Sequence, residues 1–427
     1  MLGKMKNSGL VRNTWWTLLG QGARIGIQAI YFVIIARCLG NAGYGAFIGV
    51  VSLVAILAPF SGLGTGFLLI KNVARDSGVF RHYWGNALVV TMLSGCLFTV
   101  LVLSISHFIL PASIPVALTL TIALSDLLFA RVLDICSQSF QAFQQMARYT
   151  QLQVLLSVSR LFAAFSLVIF SNTPSPVYWG WLYLLSTVVS AVVAVIYVCI
   201  KLGLPKWKAA GLSSEMIEGF YFSISFSAQS IYNSIDKTLL ARLSTLEAAG
   251  IYAAAFRIVE VSFTPVLSLV YASFAKFFQQ GATGIRGSLH FAKRLLPAAG
   301  GYGLLVGLGI YFTAPILPFV LGDDYQTAVE AIRWLALIPF LKSVNVFAAN
   351  SLTGAGYQGL RSAIQVGVAL LSILLNILLI PVYSWKGAAI ASLASETLLA
   401  VGLWGAAWYL YKKPTRLLAA QEVKVES

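Results

Sequence analysis

Four polar side chains in an otherwise apolar stretch, Thr17, Gln21, Arg24 and Gln28, recur at i, i+4, i+7 and i+11. On a helix turning roughly 100° per residue, that spacing gathers them within about 60° of one face. A guanidinium near mid-bilayer costs about 3 kcal/mol on insertion scales and far more if it faces lipid, so the stripe must face protein or water. The pattern returns 208 positions later as Ser225, Gln229, Tyr232 and Asp236, with Asn233 beside them, and the same shift carries Tyr44 onto Tyr252. A stripe that occurs twice predicts a duplicated membrane protein with a water-filled path through it.

Other charges in apolar stretches divide by whether they carry their own partner. Arg131 with Asp134, Arg257 with Glu260, and Arg333 with Glu330 stand three residues apart, which makes a local ion pair the default for each. Arg24, Arg160 and Lys342 have no acid three or four residues away and need a partner from another helix or an anion from outside the protein. Arg24, Arg160 and Lys342 are therefore candidates to line a hydrated cationic cavity, Lys237 and Arg257 join them with local ion pairing as the alternative, and Gln21, Gln28, Gln229 and Asn233 are its polar lining. Two further polar faces carry Gln153, Ser157 and Arg160, and Gln365, Ser372 and Asn376; close helix packing with interhelical hydrogen bonds is the plainer reading for the serines. Asp126, Asp236, Glu260 and Glu396 also lie at membrane depth. Buried carboxylates can bind and release a proton or sodium ion, or simply compensate nearby cations, and both readings stay open. No HExxH, CxxC pair, P-loop or Gly-rich dinucleotide fingerprint occurs, and His82, His107 and His290 are scattered, so neither a metal nor an organic cofactor is expected.

The elements that position these residues follow from composition. With 427 residues, 59% hydrophobic and only 10% charged, the chain has far too little charge for a soluble surface. Twelve apolar runs of about 20 residues begin near Trp15, Tyr44, Trp84, Val116, Gln151, Val177, Phe220, Ile251, Leu295, Val329, Ala363 and Ala388. This predicts an all-α polytopic membrane protein with twelve transmembrane helices. The net charge of +15 could suggest nucleic acid, but 19 of the 29 Lys and Arg fall in one set of alternate connections and the termini, and only Arg37, Arg242 and Lys386 in the other. The positive-inside rule then puts both termini in the cytoplasm, and the basic charge is topology rather than nucleic-acid binding. Trp15 and Trp16 are expected at an inner boundary, Trp179, Trp181 and Trp385 at outer ones, and Trp408 with Tyr411 at the last inner one. The best division is an N-terminal six-helix lobe over 1–204, a cytoplasmic connection over 205–218, a C-terminal six-helix lobe over 219–411 and a cytoplasmic tail over 412–427. Six helices per half make the repeats parallel in the membrane. Pro59 and Pro265 fall at corresponding places in the two halves, as do Pro111 and Pro115 with Pro315 and Pro318, and mark candidate bends.

The stretches Ala36-Arg37-Cys38-Leu39-Gly40-Asn41-Ala42-Gly43-Tyr44-Gly45, Ile235-Asp236-Lys237, Gly250-Ile251-Tyr252-Ala253-Ala254-Ala255-Phe256-Arg257 and Asn376-Ile377-Leu378-Leu379-Ile380-Pro381 resemble the Wzx-type polysaccharide flippases, in the superfamily (MOP) that also holds the multidrug MATE exporters and the lipid II flippase. The resemblance covers essentially the whole chain. It implies two six-helix lobes that alternate access, moving an undecaprenyl-pyrophosphate-linked oligosaccharide from the inner to the outer leaflet of a bacterial cytoplasmic membrane, with H+ or Na+ coupling. A polymerase and chain-length proteins of the same glycan pathway are the implied partners. Arginines in the first and eighth helices face the cavity of the lipid II flippase, and Arg24 and Arg257 occupy comparable helices here. The two extra C-terminal helices of that flippase are not expected, which favours the oligosaccharide branch. The rival readings are a MATE-like drug or cation antiporter, whose cationic cargo would want acids in the cavity without excess arginine, and a membrane glycosyltransferase or polymerase, which would need a substantial outer loop.

Overall fold

The computed structural model describes residues 9–170, 173–207, 230–231, 233–282 and 284–412, and every regular element among them is helical. Helix α1 (Gly9–Leu57) has 49 residues. Straight, it would run about 74 Å at 1.5 Å per residue, more than twice a hydrocarbon core of ~30 Å. It bends instead at Gly40, where φ is 65° and ψ 179°. The rings of Phe32 and Tyr44, which 12 residues of straight helix would hold about 18 Å apart, meet at 5.6 Å, so arms 9–39 and 41–57 fold toward each other. Glycine takes this positive φ without a Cβ penalty, and a Cβ at Gly40 would also meet the Asp324 carboxylate at 2.8 Å. One helix thus contains two of the expected apolar runs.

A 3-10 turn (Ala58–Phe60) carrying Pro59 follows, then Gly62, Leu63 and Gly64 with φ of 87°, 46° and 68°, and then helix α2 (Thr65–Val73). Proline and three left-handed residues in sequence break the run where Pro59 predicts a bend. Helix α3 (Phe80–Ile109) comes next, and α4 (Val116–Ala142) contains a π-helical stretch at Leu124–Phe129. Helices α5 (Met146–Phe170) and α6 (Pro176–Leu202) complete this part, the latter capped by Ser175, whose hydroxyl accepts from the Tyr178 N–H at 3.2 Å with Pro176 in the first turn. A helical stretch over 233–243 (α7) precedes α8 (Leu246–Ser262).

Helix α8 and the first part of α9 (Thr264–Gly281) are bent by 40° at a break beside Pro265. Then follow α10 (Ile285–Thr313), α11 (Ala328–Gly354), α12 (Gln358–Tyr383) and α13 (Trp385–Lys412). By contacts the chain forms two compact units, Met1–Gly250 with Val320–Asp324, and Ile251–Phe319 with Tyr325–Ser427. Residues 233–250 therefore pack with the first unit, and the connection expected over 205–218 lies mostly outside the described residues.

The first unit is cored by the fully buried Trp84, Phe140, Leu118 and Ile122. Trp179, expected as an interfacial anchor, is also fully buried, with its ring 5.7 Å from Tyr31, 5.9 Å from Phe47 and 5.7 Å from Tyr183. Trp181 two residues on takes the exposed position. In the second unit Phe277 and Phe347 are buried at the centre, and Gly281 sits so close to the Gly354 carbonyl that a Cβ would overlap it, the small-residue packing that brings membrane helices together. Outward rows such as Leu93, Leu97 and Val100 on α3, Val189, Val192 and Ile196 on α6, and Leu370, Leu374 and Leu378 on α12 are exposed. Such rows would be untenable in water and suit hydrocarbon. Among the described residues nine helices are long and apolar enough to cross a membrane, or ten with the bent α8–α9 pair. The chain is a multi-pass membrane protein.

Candidate functional site

Asp126 sits in the π-helical stretch of α4, where the widened turn displaces the residues that follow. Arg160 of α5 reaches it at 2.7 Å, and the Tyr183 hydroxyl of α6 donates to both carboxylate oxygens at 3.1 Å. The Arg160 guanidinium also lies 4.0 Å above the Tyr183 ring and donates to the Thr187 hydroxyl at 3.4 Å, while Ser125 donates to Thr187 at 2.9 Å. Tyr183 and Thr187 share a face of α6 because they are one turn apart. The cation that had no local acid finds one on another helix, within a network in which Arg160 and Tyr183 both hold the carboxylate.

Helix α1 meets α5 at Gly20, where an added Cβ would overlap the Thr150 side chain. One turn along, Arg24 is half-buried and has no acidic partner among the described residues. Gln28, a turn further, is half-buried too. The side chain of Gln21, and Gln229 entirely, lie outside the described residues. On α4, Arg131 and Asp134 pair at 2.9 Å, and the Gln153 amide donates to Asp134 at 3.1 Å and to Ser137 at 3.2 Å. On α7, Lys237 and Asp236 are both buried and 3.4 Å apart, and the ammonium donates to the Asn233 carbonyl at 2.7 Å.

In the second unit Arg257 and Glu260 pair at 3.5 Å with about a third of each side chain exposed. Lys342 lies 5.1 Å from the Phe256 ring centroid and has no acidic partner among the described residues. Glu396 is buried, and the Asn345 amide donates to its carboxylate at 2.6 Å and to its backbone carbonyl at 3.0 Å. The expected pair of Arg333 with Glu330 does not form. Glu330 instead takes Lys386 at 2.8 Å, and Arg333 stacks 5.3 Å from the Tyr311 ring. A cation from another helix and an aromatic face together outcompete the i,i+3 contact.

One feature escapes the candidate residues altogether. The break between α1 and α2 opens a cavity of about 320 Å³ in the first unit, walled by the broken helix, by Arg131, Asp134 and Gln138 of α4, and by Ser230. The glycine run Gly62-Leu63-Gly64-Thr65-Gly66 beside Pro59 is the signal that marks this place in the sequence. No sequence signal marks the π-helical stretch. Among the described residues no three His, Cys, Asp or Glu side chains cluster as a metal site would require.

With this geometry in hand, comparison with known proteins gives three kinds of likeness. The profile of the polysaccharide biosynthesis protein family (Polysacc_synt) matches residues 10–277. A protein of Escherichia coli (strain K12) named "Putative O-antigen transporter" is 23% identical over 404 residues, covering 91% of this chain and 94% of the relative. Among solved structures, an inward-facing multidrug resistance MATE family transporter of the MOP superfamily superposes with a TM-score of 0.74 at 15% identity, over 92% of this chain and 96% of that one. The lipid II flippase MurJ, in an inward closed conformation, superposes with a TM-score of 0.72 at 11% identity, over 93% and 87%. At these identities the structural likeness establishes the fold.

Proposed function

The chain belongs to the polysaccharide biosynthesis protein family, and from that premise we propose that it is a flippase rather than an enzyme, carrying undecaprenyl-pyrophosphate-linked oligosaccharide repeat units from the inner to the outer leaflet of a bacterial cytoplasmic membrane by alternating access. One observation carries the choice of cargo. Each buried or half-buried acid among the described residues has a partner: Asp126 has Arg160, Asp134 has Arg131, Asp236 has Lys237, Glu260 has Arg257, and Glu396 has Asn345. Arg24 and Lys342, one in each unit, have no acidic partner among the described residues. A cation held at membrane depth without a protein acid wants water and an anion opposite it. A pyrophosphate supplies that anion, and a guanidinium matches it with paired donors. The reading extends to ion coupling through Asp126, Asp236, Glu260 or Glu396, tested by replacing each with its amide and measuring transport against imposed proton and sodium gradients.

A cationic drug would favour the opposite imbalance, acids left over and bases paired, so the fold shared with MATE exporters does not by itself bring their cargo. The experiment follows lipid-linked intermediates in cells lacking the protein. Complete units should accumulate, inaccessible to an impermeant periplasmic probe. Truncated units would point to a glycosyltransferase, and complete units already exposed outside would point to a polymerase; either result overturns the proposal.

A further inference from the structure

The cavity at the break in the first unit is built rather than left over. The Gly62 N–H donates to the Ser94 hydroxyl of α3 at 2.8 Å, Thr65 donates back to the Gly62 carbonyl at 2.7 Å, and the Ser61 hydroxyl donates to the Leu127 carbonyl in the π-helical stretch of α4. Two irregular backbones are thus tied to each other. Arg131, Asp134 and Gln138 stand at i, i+3 and i+7 of α4 and face the break from one side. Gln138 lies against the first turn of α2, in the space that a Cβ on Gly66 would fill. Phe67 adds a partly exposed ring to the wall.

The chemistry of this wall is mixed. The guanidinium donates, the carboxylate accepts, and the Gln138 amide does both. Arg131 is already compensated by Asp134 at 2.9 Å, so the α4 wall carries no net charge, and a phosphate would meet a carboxylate. A sugar ring suits it instead: hydroxyls that donate and accept around the rim, and an apolar C–H face for an aromatic ring. The volume of about 320 Å³ lies at the lower end of small-ligand pockets.

We propose that this cavity binds a sugar residue of the cargo, at a subsite separate from the uncompensated cations. The proposal rests on the flippase reading above. Its test uses the full chain in nanodiscs and two probes: undecaprenyl pyrophosphate, and the same lipid bearing its glycan, extracted from cells lacking the protein. Gln138→Ala and Phe67→Leu alter different residues of the wall, so that one variant suffices if the other fails to fold, and the thermal unfolding midpoint reports folding for both. Each should weaken the glycan-bearing lipid by about tenfold, the scale of one lost hydrogen-bonding or packing group, and leave the bare lipid unchanged. Equal weakening of both probes, or of neither, overturns the sugar subsite while leaving the flippase reading intact. A wild-type protein that binds neither probe overturns both.

Discussion

Arg160 holds Asp126 at 2.7 Å while Tyr183 donates to the same carboxylate, so removing the arginine leaves a charge among helices with no cation opposite it. Breaking one side of a buried pair costs about 3–5 kcal/mol, whereas removing both sides is often close to neutral. Arg160→Ala and Asp126→Ala should therefore each deplete the protein from the membrane, and a double Asp126→Asn, Arg160→Gln variant should recover much of it; immunoblots and thermal unfolding in detergent measure both. A double variant no more stable than the singles would mean that the pair does not stabilise as a unit. Arg24 should behave in the opposite way. Having no acidic partner among the described residues, it can be lost without stranding a carboxylate, so Arg24→Ala should stay in the membrane at near-normal amounts and abolish surface glycan. Arg24→Lys should keep part of the activity, since the charge survives and the paired donors do not. Full glycan display in Arg24→Ala would remove this residue from the transport path.

The break between α1 and α2 depends on backbone that only glycine takes easily. Gly62 has a φ of 87°, and a Cβ there would meet the Thr91 hydroxyl at 2.9 Å. Gly62→Ala should lower the unfolding midpoint, because strained positive φ and crowding each cost on the order of 1 kcal/mol or more. Transport should fall with it if the break shapes the cavity; an unchanged midpoint would show that the turn tolerates a side chain. This element was legible in advance through Pro59, and the run of glycines beside it is a second helix-breaking signal that the sequence also held. The π-helical stretch was not. Leu-Ser-Asp-Leu-Leu-Phe reads as ordinary helix, and the shift exists because Ser61 and Thr187 hold it from neighbouring elements. The same limit governs the charges. Spacing sees partners three or four residues away, so it finds Arg131 with Asp134 and Arg257 with Glu260, yet it misses Asp126 for Arg160 and assigns Glu330 to Arg333 when Lys386 reaches it first. Burial of Trp179 was misread because an aromatic near the end of a span looks like an anchor whether it faces lipid or its neighbours.

For the whole molecule, orientation is set by where its cations collect. Nineteen of 29 Lys and Arg lie in one set of alternate connections and the termini, and translocating such segments is opposed by the membrane potential. The second unit displays one end of that pattern: Lys293 lies 5.2 Å from the Trp408 ring, Lys412 5.4 Å from the same ring, and Arg286 5.4 Å from Tyr411, which stacks on Trp408 at 5.8 Å. Cations over half-exposed aromatic rings at the ends of α10 and α13 suit a headgroup boundary. Both termini and the connection over 205–218 should then face the cytoplasm, and the segment between α5 and α6 the periplasm. In a protein with Cys38, Cys96, Cys136 and Cys199 replaced, Thr173→Cys should react with a membrane-impermeant maleimide in intact cells. Ser214→Cys should react only once the inner membrane is opened. Labelling of Ser214→Cys in intact cells would invert the orientation, and with it the direction of the proposed transport.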